Sequence, residues 1–71
     1  MVKNMKMNVE QVTEMTVEYL KKAGYHWIRV DKIILDQKTH IWKVTADVGP
    51  ATPAYKTITI DDNNEKIIKY E

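Results

Sequence analysis

From Ile41 to Val48 the chain alternates: Trp42, Val44, Ala46 and Val48 are apolar, and the residues between them mostly are not. A period of two marks a strand with one buried face. β-Branched and aromatic residues suit that pleated surface, so the rest of the chain is expected to pair with this strand or cover it. Upstream, Val9, Val12, Met15, Thr16, Tyr19, Leu20 and Ala23 recur at helical spacing, with Glu10, Glu14, Glu18, Lys21 and Lys22 mostly off their stripe. Asn8 is placed to cap the first turn, and Gln11 stands three residues on, where a capping box takes Glu or Gln. Gly24 suits a left-handed helix end, with Tyr25 closing onto Leu20. The pattern predicts a helix over 9–23, a loose N-terminal arm over 1–7 and a single α+β domain over 8–71.

The remaining apolar positions predict three more strands. Residues 26–35 carry Ile28, Val30 and Ile34 on one face, interrupted by Lys32, with Ile33 and Leu35 on the other. Either Lys32 lies at a sheet edge and snorkels outward, or a bulge near Asp31-Lys32 switches the phase. Edge lysines also discourage aggregation, which favours the edge reading. A short loop, Gln37-Lys38-Thr39, would then set Ile34 opposite Trp42, Val30 opposite Ala46 and Arg29 opposite Asp47. Beyond Gly49-Pro50-Ala51-Thr52-Pro53, a third strand over 54–60 sets Ile58 opposite Val44, Ile60 opposite Trp42 and Thr57 opposite Thr45. Asp62-Asn63-Asn64 reads as a hairpin loop with Asn64 left-handed, leading to a strand over 66–70 with Ile68 opposite Ile58. The expected fold is α+β: one N-terminal helix packed on one face of a four-stranded antiparallel meander. Ile28, Val30, Ile34, Trp42, Val44, Ala46, Val48, Ile58, Ile60 and Ile68 would form the buried layer under the helix.

Composition narrows the class. Seventy-one residues make one domain near the lower limit of size, and with no cysteine neither a disulfide nor a thiolate metal site can staple it. A net charge of +1 offers no bulk attraction to nucleic acid or an anionic membrane. No apolar run approaches a transmembrane span, and Met1 to Met7 lack the apolar segment of a signal peptide. A soluble, cytoplasmic protein is expected. Ten lysines against one arginine, with eight isoleucines, would suit a thermophile.

Leu20-Lys21-Lys22-Ala23-Gly24-Tyr25, then Trp42-Lys43-Val44-Thr45-Ala46-Asp47 and Ile58-Thr59-Ile60-Asp61, resemble the PepSY-like domains. Asp61-Asp62-Asn63-Asn64-Glu65-Lys66-Ile67-Ile68 is similar to their closing phrase of isoleucine, aspartate, turn and hydrophobic strand, without the usual turn glycine. The likeness spans about residues 9–70. It implies a helix before a short antiparallel sheet, and a role in binding or inhibiting other proteins. Such domains are generally extracytoplasmic, and the family supplies no catalytic residues to carry over.

Candidate chemistry is sparse. His26 and His40 begin successive strands at opposite ends of a hairpin, roughly 33 Å apart at about 3.3 Å per residue, so one metal ion cannot join them. Asp61, Asp62 and Glu65, with Asp36 at the same sheet end, lack the spaced loop of a calcium site and read as solvated hairpin acids. The chain has no serine and only two glycines, which excludes a serine nucleophile and a glycine-rich phosphate loop. No catalytic residue, cofactor site or metal site is predicted. What stands out is the sheet face that one helix cannot cover, with Trp27, Ile33, Leu35, Ile41, Tyr55 and Ile67 as the candidate interface. A non-enzymatic protein-binding module is expected, its partner most simply a second copy. The alternative is a single-stranded nucleic-acid binder using Trp27 and Tyr55, which the balanced charge of that face disfavours.

Overall fold

Asn8 and Gln11 close the expected capping box. The Asn8 side chain accepts from the Gln11 amide and the Gln11 side chain from the Asn8 amide, each at 2.9 Å. In the computed structural model, which describes residues 5–71, helix α1 spans Val9–Lys22. It ends as the sequence requires: the Gly24 amide donates to the Lys21 carbonyl and Tyr25 to Leu20, with Gly24 left-handed at φ +106. Val12, Thr16 and Leu20 are its buried stripe, and the Thr16 hydroxyl donates to the Val12 carbonyl.

Four strands follow, β1 (Arg29–Asp36), β2 (Ile41–Asp47), β3 (Tyr55–Asp61) and β4 (Lys66–Tyr70), as one antiparallel sheet in the order β1-β2-β3-β4. The helix packs over β2, and the core between them holds Met7, Val12, Leu20, Trp42, Val44, Ala46, Val48, Ile58 and Ile60. The β2–β3 register is the expected one, with Trp42 opposite Ile60, Val44 opposite Ile58 and Thr45 opposite Thr57. Gly49 is required between them. A Cβ there would lie 1.8 Å from the Thr52 carbonyl oxygen.

The edge strands depart from the regular pairing expected, and of the two readings of Lys32 the structure has the bulge, not the favoured edge reading. In β1 the register slips between Val30 and Lys32, leaving Asp31 as a bulge. Lys32 then stands opposite Thr45, while Ile33 meets Val44 and Leu35 meets Trp42 on the helix side. A regular strand would aim Lys32 at the core; one extra residue turns it out and brings two apolar side chains in. In β4 the slip falls at Ile68. Ile60 pairs with Ile67 and Ile58 with Tyr70, so Ile67 packs against the core and Ile68 is exposed. Ile34 and Ile68 therefore leave the expected buried layer, and Ile33, Leu35 and Ile67 replace them.

Both hairpin loops are a residue longer than expected, Gln37–His40 and Asp62–Glu65, and their last residues, His40 (φ 59) and Glu65 (φ 53), take the left-handed position. The N-terminal arm is tied down where it meets α1. Met7 is buried, and the Lys6 and Met7 amides donate to the Asp62 carboxylate. The first four residues of the expected arm lie outside the described residues.

Candidate functional site

The sheet face away from α1 is laid out by the register. Its rows run Arg29–Asp47–Tyr55, Lys32–Thr45–Thr57, Ile34–Lys43–Thr59–Lys69 and Asp36–Ile41–Asp61–Lys66. Threonines form the middle, lysines flank them, and the acids sit at the ends of the strands.

Those acids are engaged by the turns beside them. The Asp36 carboxylate accepts from the Lys38 and Thr39 amides, and these bonds hold it below its ordinary value. Asp47 accepts from the Gly49 and Ala54 amides and is lowered for the same reason. Asp61 accepts from the Asn63 amide and the Asn64 side chain. The cations have few partners. Among the described residues one ion pair forms, between exposed Lys69 and Glu71 at 3.4 Å. Arg29, Lys32, Lys43 and Lys66 thus carry their charges outward on a face whose acids are occupied by backbone N–H groups.

Near the β1–β2 loop the face is apolar. Ile34 is 52% exposed and lies diagonally across from half-buried Ile41. Together with Asp36, Thr39 and Lys43 they line a hollow of about 320 Å³. Of the six expected interface residues, Ile41 lies on this face in the hollow, and Tyr55 lies at its far end, 56% exposed. Trp27, 52% exposed, precedes β1 at the same end as Tyr55. Ile33, Leu35 and Ile67 do not belong to it; the bulge at Asp31 turns the first two toward the helix, and the four-residue loop before β4 turns Ile67. Ile34 was missed because the bulge reverses its face. The signal was the spacing of three between Val30 and Ile33, with Lys32 just before Ile33.

The same end of the sheet is built around a buried acid, where solvated hairpin acids were expected. Asp62 is fully buried, and its Oδ1 accepts from the Trp42 indole at 2.9 Å and the Met7 amide at 2.9 Å, its Oδ2 from the Lys6 amide at 2.7 Å. Burial pushes this carboxyl up, yet the Trp42, Lys6 and Met7 donors together hold it below the ordinary value. His40 sits close by, its Nδ1 3.1 Å from the Asn63 amide oxygen, so it joins the two loops. No three metal-ligating side chains converge among the described residues. At the other end, the Tyr25 and Tyr70 hydroxyls lie 2.8 Å apart. That bond and burial push Tyr70 up to about 12.

Fold and surface together define a small domain of one helix and a four-stranded meander, with one sheet face packed and the other of mixed apolar and charged character. Comparison with protein-family models, with curated proteins and with solved structures gives no match for this chain. Among the described residues no helix is long and apolar enough to cross a membrane.

Proposed function

We propose that the chain is a non-enzymatic interaction module that pairs with a second copy of itself through the open face of its sheet. The observation that carries this reading is the hollow at Ile34 and Ile41, because its lining is self-complementary. A two-fold contact brings the same patch from both copies together, so each residue meets what the patch itself contains. Ile34 and Ile41 of one copy would cover those of the other, and each Lys43 would meet the Asp36 carboxylate opposite. Burying two half-exposed isoleucines per copy adds apolar area to a small core at about 25 cal/mol per Å². The PepSY-like closing phrase supports the same class of function, since those domains are associated with binding other proteins.

Dilution tests it. Between about 500 and 10 μM, a range that brackets a dissociation constant in the tens of micromolar, backbone amide resonances of Ile34, Ile41 and Lys43 should shift together. The variant Ile34→Lys with Ile41→Lys should keep the fold and show no such shift. Shifts confined to the helix side, or none, would end this reading.

The second reading, single-stranded nucleic acid, draws on the exposure of Trp27 and Tyr55 at one end of the sheet, with Arg29, the first residue of β1, opposite Asp47. The charge of the face is too balanced for tight binding. No oligonucleotide complex tighter than roughly 10 μM is expected at physiological salt. A tighter, salt-sensitive complex weakened by Trp27→Ala or Tyr55→Ala would reverse the order of the two readings.

A further inference from the structure

On the other side of the molecule a shallow groove of about 440 Å³ runs between α1 and β4. Met7, Met15, Tyr19 and Ile67 make its floor, and its rim carries three acids, Glu14, Glu18 and Glu65, against one lysine, Lys22, with Gln11 at one end. We infer that this groove docks a cationic amphipathic helix, with apolar side chains on the floor and lysine or arginine against the rim.

Three observations lead there. The first is a row of charge along α1: Glu10, Glu14 and Glu18 follow one another at i, i+4, two like-charged steps before Lys22 closes the row. Like charges at that spacing cost a helix about 0.2–0.5 kcal/mol per pair, and a cationic partner would reverse the sign. Among the described residues neither Glu14, Glu18 nor Glu65 has an ion-pair partner, and no trio of metal-ligating side chains forms there. These acids are therefore charges facing solvent over an apolar floor, not ligands of an ion.

The second is the floor. Two of its four side chains are methionines, whose unbranched, polarizable thioethers adapt to varied apolar partners. The third is the edge beside it, which argues for a helix over an added strand. β4 carries a bulge at Ile68 and lysines at Lys66 and Lys69, the devices that keep an edge strand from pairing. From Gln11 to Lys22 the groove follows α1 for about 16 Å at roughly 1.5 Å per residue, enough for three turns of a docked helix. This surface is opposite the open face, so the inference does not depend on self-pairing.

The probe is a peptide of about 18 residues, a leucine stripe flanked by lysines, long enough to be helical when docked. Its control replaces every lysine with glutamate. Titrated into isotope-labelled protein, the lysine peptide should shift the amides of Met15, Glu18, Tyr19 and Ile67 and bind less tightly as salt rises. Glu14→Lys with Glu18→Lys, both at exposed positions, should weaken binding about tenfold or more. Lys38→Glu, an exposed position in the β1–β2 loop that lines neither the groove nor the hollow, should leave it unchanged. Equal binding of the glutamate peptide, no binding up to about 1 mM, or shifts centred on Ile34 and Ile41 would each overturn the inference.

Discussion

Replacing Trp42 with phenylalanine or alanine separates two roles of one side chain. Its ring fills the core, and its indole N–H donates to the buried Asp62 carboxylate. Trp42→Phe keeps most of the ring but takes a donor from a buried charge, a loss of about 1–3 kcal/mol. Trp42→Ala adds a cavity and should cost about 3–5 kcal/mol, read as a fall in the urea midpoint. An unchanged midpoint for Trp42→Ala would place that ring in solvent. Asp62→Asn is nearly isosteric, yet the new amide cannot accept from both Lys6 and the Trp42 and Met7 donors, so one N–H is left facing another. The pH dependence follows in sign. A carboxyl lowered in the folded state contributes stability that is whole above its unfolded value of about 3.9 and is lost as pH falls through the folded value. Asp36, Asp47 and Asp62 are all lowered, so stability should be level near neutral pH and decline below about pH 4. Asp62→Asn should make that decline shallower without abolishing it. A decline as steep as that of the unmodified protein would show that Asp62 is not among the groups responsible.

At the scale of the elements, the bulge in β1 and the loop length before β4 decide which isoleucines are core, and alanine substitutions at adjacent positions test them. Ile33→Ala should cost more than about 1 kcal/mol and Ile34→Ala less than about 0.5, since only Ile33 packs against the core. Ile67→Ala and Ile68→Ala should divide in the same way. The reverse order would restore a regular strand in β1, and in β4 a loop one residue shorter. The helix was legible in the sequence to within a residue because its signals are local: Asn8 with Gln11, and Gly24 with Tyr25, act within a turn of each end. The β2–β3 pairing was legible because both strands alternate without interruption. The edges were not. In Val30 to Ile33 and in Ile67 to Tyr70, inward residues stand three apart with a lysine among the residues between, and a period of two has no reading for that spacing. A slip of one residue then reverses every later side chain. For this reason Ile33 and Leu35 were expected on the open face, and Ile67 was expected there because the loop before it is one residue longer than its sequence suggests, while Ile41 and Tyr55, in or beside the regular part of the sheet, fall on the expected face. The loops were hidden for another reason: His40 and Glu65 take left-handed positions that residue preference assigns to glycine or asparagine.

At the scale of the whole molecule, two surfaces differ in shape more than in sign of charge. The helix side presents Glu10, Glu14, Glu18 and Glu65 with Lys21 and Lys22, and the open face presents Arg29, Lys32, Lys43 and Lys66 with Asp36, Asp47 and Asp61. Both edges carry a bulge and lysines, which directs association to faces. One helix covers one face, and the proposal is that a second copy covers the other. Sedimentation equilibrium at about 100 μM tests this most directly, since a dissociation constant in the tens of micromolar would show at that concentration. The account predicts a mass approaching twice the 8.3 kDa of the chain, falling to a single chain when Ile34 and Ile41 are both replaced by lysine. A single-chain mass for the unmodified protein, or an unaltered dimer in that variant, would contradict it.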